Sequence, residues 1–244
     1  MGDIESGEEA KDFARIRSGY EAIICVDKKI SCMQTNKLVL FDFDGVIVDS
    51  FDSVYEVEKM LRKNDGLTKD QYRKNFEGNF FAEREKVQKV DFTPEEFYKA
   101  YQPKFVTLQP VPHMSEVLQQ LSKMYPMIII SSAVTSYIKS WLEQYGIADC
   151  FIDILGADIQ TSKVEKMKRI LGSWQIVPSD CVLITDTLGD IREANTVGIP
   201  SIAVTYGYHD EATLKKGEPR VIVHTPEEIL EAVEKVLASK EKRT

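Results

Sequence analysis

Short apolar runs alternate along the chain with stretches in which apolar residues recur every three or four positions. Leu38–Phe43, Met127–Ile130, Cys181–Ile184, Ile199–Val204 and Arg220–Val223 each read as a strand, a β-rich run bounded by polar or turn residues. Helical spacing fills the intervals. Val117, Leu118, Leu121 and Met124 repeat at helix intervals, as do Ile138, Trp141, Leu142 and Tyr145 before Gly146. Val164, Met167, Ile170 and Leu171 do the same before Gly172, and Pro226 opens a last helix through Ala238, proline being favoured in a first turn. Strands alternating with helices predict an α/β fold, a parallel sheet covered on both faces.

One block breaks the alternation. From Asp52 to Phe105 no run reads as a strand, and the signals are helical. Val54 to Leu61 carries apolar residues at helix intervals, and Thr68-Lys69-Asp70-Gln71 and Thr93-Pro94-Glu95-Glu96 are capping boxes. The pattern predicts an α/β core over 37–51 and 107–240 with a small all-helical domain, 52–106, inserted after the first strand. Ligand clefts commonly form at such a junction. The first 36 residues allow two readings: a hairpin pairing Ala22–Val26 with Ile30–Met33, or a disordered leader.

Composition narrows the function classes. The chain has 244 residues, 43% of them apolar, enough for one large core or a core with an insert. A net charge of −8 argues against a general nucleic-acid or anionic-membrane binder. No apolar run approaches the ~20 residues that span a bilayer, and the acidic N-terminus lacks the apolar stretch of a secretory signal. The four cysteines form no CxxC pair, which fits a reduced, cytoplasmic protein. The three histidines are dispersed, which disfavours a zinc site or a Ser-His-Asp triad.

Ligands of open parallel sheets bind beyond the carboxyl ends of the strands, and polar stations sit at or just after these positions. Asp42-Phe43-Asp44-Gly45-Val46 ends the first strand, with two carboxylates on the same side of an extended chain. Ser131-Ser132 ends the second, Lys163 precedes a helix, and Asp186-Thr187-Leu188-Gly189-Asp190 follows the Cys181 strand. Each has an ordinary structural reading alone: Asp-Gly is a common turn pair, serines and aspartates cap helices, and a lysine on a polar face is usually solvated. Their joint order at strand ends is what points to one assembled site.

At that conjunction the chain resembles the haloacid dehalogenase superfamily of aspartate-based phosphohydrolases, in its phosphoglycolate-phosphatase and β-phosphoglucomutase-like branch. The stretches "DFDGV", "IIISS", "SKVEKMKRIL" and "LITDTLGDIREANTVGIPSIAVTYGY" carry the likeness, which covers roughly Asn36 to Ala238. The resemblance implies a Rossmann-like three-layer core with a mobile helical cap. It makes Asp42 the nucleophile on phosphorus and Asp44 the acid that protonates the leaving oxygen and later deprotonates water. Ser131 would bind phosphoryl oxygens with Ser132 and Gly45 beside it, and Lys163 would neutralise the phospho-intermediate. Asp42, the backbone carbonyl of Asp44, Asp186 and Asp190 would serve Mg²⁺. The implied partner is a small phosphomonoester, and the chain would be a monomer or homodimer.

Physics makes that division sensible. Two carboxylates ~5 Å apart repel by about 3 kcal/mol at an effective dielectric of 20, and a dication removes the penalty. The proton-handling partner needs an environment that raises its pKa. Two departures stand out: Thr185 where the family usually has Gly, and Val164 where Pro often follows the lysine. Lys166 and Lys168 also lie close to Lys163. Phe76-Glu77-Gly78-Asn79 and Arg84 combine a glycine break with polar and basic groups and are candidate substrate contacts from the helical insert, with an interhelical turn and a surface arginine as the plainer reading. Tyr206 and Gly207 belong to the cleft rim or only turn the chain. A sugar-phosphate phosphomutase and a catalytically silent binding protein on the same fold are the competing functions.

Overall fold

The computed structural model describes residues 35–62, 66–79, 92–160 and 162–238, so the two readings of the N-terminal segment lie outside the described residues apart from its last two. Asn36 onward forms one unit, and all the strands and helices named below belong to it. Six parallel strands form one sheet in the order β3-β2-β1-β4-β5-β6: β1 Leu38–Phe41, β2 Met127–Ile130, β3 Asp153–Leu155, β4 Cys181–Thr185, β5 Ser201–Val204 and β6 Val221–Val223. Every residue of β1, β2, β4 and β5 is buried, as expected of central strands covered on both faces.

Alternate side chains of each strand enter opposite layers. Val39, Phe41, Ile129, Val182 and Ile184 meet α4 (Met114–Leu121), α5 (Thr135–Gln144) and α9 (Glu228–Ala238) on one face. Leu38, Leu40, Ile128, Ile130 and Leu183 meet α6 (Lys163–Trp174) and α7 (Leu188–Val197) on the other. The result is the three-layer, Rossmann-like α/β architecture expected. Two departures are local. The edge strand β3, which opens on the exposed Asp153, carries too little apolar sequence to announce itself, and a short helix α8 (Glu211–Leu214) follows β5.

Strand order reverses between β1 and β4, and such a switch point leaves a crevice at the strands' carboxyl ends. Between β1 and α4 the elements among the described residues are helices: α1 (Phe51–Leu61), α2 (Lys69–Arg73) leading into a 3₁₀ turn at Lys74–Phe76, and α3 (Pro94–Phe105). Both capping boxes form, Thr68 with Gln71 and Thr93 with Glu96, each side chain closing on the other's backbone N–H. An aromatic cluster of Phe51, Tyr55 and Tyr72 holds α1 and α2 together and includes Tyr208 from beyond β5. None of the helices among the described residues is long and apolar enough to cross a membrane.

Candidate active site

β1 delivers Asp42 to the crevice. Its side chain is almost fully buried; one oxygen accepts from the amide of Phe43 at 2.8 Å and the other lies 2.8 Å from Lys163 Nζ. Lys163 stands at the start of α6, behind the N-cap Ser162, and its ammonium also meets Asp190 Oδ2 at 2.6 Å. One buried ammonium therefore bridges two carboxylates from different strand ends. Burial alone would lower the lysine's pKa, but Asp190 and then Asp42 together push it well above its usual range. The two acids diverge. Burial raises Asp42, with the charges of Asp190 and Asp186 adding to it against Lys163, whereas Asp190 is held low against its own burial by Lys163 and by hydrogen bonds.

Asp44 lies on the turn beyond Asp42. Its Oδ1 is buried without a hydrogen-bond partner, and burial raises its pKa against the pull of Ser50 and Lys163. A carboxyl in that setting keeps a proton longer than an exposed one. Gly45 follows at φ 75°, its amide donating to Val48 O. A Cβ on Gly45 would sit 1.9 Å from Asp186 Oδ2, and one on Gly207 2.3 Å from the same atom. Asp186 is thus gripped between two glycines, and its Oδ2 accepts from the amide of Tyr208 at 2.7 Å. Its Oδ1 is buried without a partner, and burial, helped by Asp190, pushes its pKa up to about 7.

At the end of β2, Ser131 is fully buried, its hydroxyl accepting from the amide of Ala133 at 3.0 Å. Ser132 and Ala133 line the cavity above the sheet. Lys166, one helical turn after Lys163, donates to the carbonyl of Ser131 at 2.6 Å, and burial together with Lys163 lowers its pKa to about 8. Lys168 points to solvent and pairs with Glu165. The structure thus brings Asp42, Lys163 and Asp190 into direct contact and sets Asp44 and Ser132 on the same cavity. It leaves Asp186 turned to the Tyr208 amide, and among the described residues no three acidic, histidine or cysteine side chains converge tightly enough to hold an ion by themselves. Arg84 lies outside the described residues.

Several contributors escaped sequence reasoning. Thr185, the departure from the usual glycine, donates to Asp190 Oδ2 at 2.7 Å and accepts from the amide of Thr187, so its hydroxyl helps fix the acid that pairs with Lys163. His209 accepts from the amide of Leu188 at 3.0 Å and meets the carbonyl of Arg73, while Arg73 donates to Tyr208 O at 2.9 Å. The loop after β5 therefore clamps α2 to the start of α7. For Lys166 a signal did exist: it lies three residues from Lys163 and next to Met167, on the stripe of α6 that faces the core. For His209 and Thr185 only the three-dimensional arrangement supplies it.

The donor chemistry suits a hard dication. Buried carboxylates with raised pKa values, and an Asp186 Oδ1 without a hydrogen-bond partner among the described residues, supply hard oxygen donors at neighbouring strand ends.

Residues 39–204 match the model of the haloacid dehalogenase-like hydrolase family. A phosphoglycolate phosphatase of Vibrio vulnificus is 27% identical over 226 residues, covering 82% of this chain and 97% of its own. One from Synechococcus elongatus is 24% identical over 209 residues, with 82% and 98% covered. Among solved structures, a haloacid dehalogenase-like family hydrolase of Streptococcus pneumoniae superposes with a TM-score of 0.69 at 25% identity, covering 80% of this chain and 97% of that one. The chain belongs to the haloacid dehalogenase-like hydrolase family. Within that family it is an enzyme of the phosphatase type.

Proposed function

We propose that the chain is a Mg²⁺-dependent hydrolase of small phosphomonoesters that works through an aspartyl-phosphate on Asp42. The observation that carries this reading is the contact of Asp42 with Lys163 at 2.8 Å, beside Asp44 with its buried Oδ1, on one cavity. In the first step an Asp42 oxygen bonds to phosphorus as the bond to the leaving oxygen breaks, and the Asp44 proton passes to that oxygen. In the second, Asp44 takes a proton from water while the water oxygen bonds to phosphorus. The acyl-phosphate bond breaks, freeing phosphate and restoring the Asp42 carboxylate. Lys163 offsets the charge of the equatorial phosphoryl oxygens, and the turn at Ser131–Ala133, tied by Lys166, presents polar groups to them.

Asp42, the carbonyl of Asp44 and Asp186, supported by Asp190, would hold the Mg²⁺, which supplies the charge neutralisation that keeps Asp42 ionised at neutral pH. Helices α1 to α3 act as the cap, closing over the leaving group and excluding water. The free thiols of Cys150 and Cys181, both buried, support a reduced cytoplasmic setting. The Vibrio and Synechococcus relatives make phosphoglycolate the first compound to try. The deciding experiment is hydrolysis of p-nitrophenyl phosphate with and without Mg²⁺. Wild type should release inorganic phosphate only with the metal, and Asp42→Asn should lose it by at least a thousandfold; equal rates in the two proteins would sink the reading.

A further inference from the structure

The cavity above Asp42 has a volume of about 100 Å³, and its wall opposite the sheet is aromatic. Tyr72, Phe76, Phe97, Tyr98 and Tyr101 come from the helices between β1 and β2, and Tyr208 comes from beyond β5. The rings are fixed by one another: Phe97 and Tyr101 lie 5.5 Å apart, and Phe76 sits edge-on to Tyr208 at 4.9 Å. Val54 adds a further apolar group. An engineered protein cavity of about 150 Å³ holds a benzene molecule, so this smaller space limits the body of the substrate to a short chain or, with some opening of the helices, one small ring.

Charge limits what that space accepts. Among the described lining residues the one cation is Lys163, and its ammonium is already committed to Asp42 and Asp190. Glu193, on the second turn of α7, lines the cavity instead, fixed by a 2.9 Å hydrogen bond from Asn79. A leaving group with its own carboxylate would lose its water there and meet the fixed acid of Glu193, a cost that selects against it. One polar group of the aromatic wall lies beside the acid. The Tyr101 hydroxyl is buried on the cavity wall, with Asp44 and Ser50 as its polar neighbours. Its place beside Asp44 makes it a candidate donor to the leaving oxygen.

We infer that the cavity selects phosphate monoesters of uncharged alcohols with an apolar or ring-bearing body, and selects against phosphorylated carboxylic acids such as phosphoglycolate. This rests on the phosphatase reading above and narrows its substrate class. The test compares kcat/KM for benzyl phosphate, phosphoglycolate and the uncharged amide of phosphoglycolate on the intact protein with Mg²⁺. Benzyl phosphate and the amide should each exceed phosphoglycolate at least tenfold. Glu193→Lys should then raise phosphoglycolate relative to benzyl phosphate at least tenfold, and Tyr101→Phe should lower kcat/KM on benzyl phosphate several-fold with the ring retained. Phosphoglycolate matching or exceeding the other two in wild type would overturn the inference while leaving the phosphatase reading intact. Phosphate release from none of the three, nor from p-nitrophenyl phosphate, would remove both.

Discussion

At the scale of single residues, the site works by giving similar carboxyl groups different environments. Asp42 and Asp44 stand two positions apart, yet Asp42 shares an ammonium with Asp190 while Asp44 buries an oxygen with no hydrogen-bond partner among the described residues. The raised pKa of Asp44, caused by burial, suits the acid's task proposed for it. Asp44→Asn should therefore cost about 10²–10⁴ in kcat on benzyl phosphate, whose alkoxide leaves poorly, and far less on p-nitrophenyl phosphate. Equal losses on the two would show that Asp44 does not supply the proton. In wild type, the rate on benzyl phosphate should fall on the alkaline side as Asp44 loses that proton, while the p-nitrophenyl rate stays flatter there. Thr185 makes a second case. Thr185→Val keeps the shape but removes the donor to Asp190, and should destabilise the protein by about 1–3 kcal/mol in urea unfolding. Thr185→Ser should restore most of that loss.

Secondary-structure elements decide how these residues meet, and they differ in how openly the sequence declares them. β1, β2 and β4 are continuous apolar runs ending in polar residues, so both strand and site residue were readable from one stretch. β3 was not, because a three-residue edge strand opening on an exposed Asp153 has no pattern to detect. Both capping boxes were readable because their bonds close within four residues. The grip of Gly45 and Gly207 on Asp186 and the Lys166 bond to Ser131 O join residues far apart in sequence, and no local pattern encodes them. The same distinction separates two helical glycines. A Cβ on Gly189 of α7 would lie 2.2 Å from the carbonyl of Gly78, which belongs to the segment carrying Phe76 and Asn79 along the cavity wall. Gly172 of α6 has open space around it. Gly189→Ala should cost about 1–3 kcal/mol and raise KM by displacing that segment. Gly172→Ala should gain about 0.5–1 kcal/mol with KM unchanged, as expected for a helix interior. Urea denaturation and KM on one substrate would check both.

For the whole molecule, the concentration of buried acid at the head of the sheet couples stability to pH and to metal. Asp186 has a folded pKa of about 7 against an ordinary value of 3.8, raised chiefly by burial. A carboxyl with a raised folded pKa binds its proton more tightly in the folded state, so its contribution is full below about pH 4 and is lost as pH rises towards 7. Asp42 acts in the same direction and Asp190 in the opposite one. In EDTA the folded protein should therefore lose stability as pH rises from about 4 to about 7, with Asp186 responsible for a loss on the order of 4 kcal/mol at most over its full titration. A dication binds the ionised carboxylates and competes with their protons, so Mg²⁺ should stabilise the protein much more at pH 8 than at pH 5. Asp186→Asn carries no titrating group at that position, and it should flatten the EDTA profile and shrink the Mg²⁺ effect together. Denaturation curves for both proteins at the two pH values, with EDTA and with Mg²⁺, separate the possibilities. An EDTA slope unchanged by the substitution would mean that the buried cluster stores its protons elsewhere. A Mg²⁺ effect equal at both pH values would mean that the ion binds away from these acids, and the assignment of the metal to the head of β1 and β4 would fail with it.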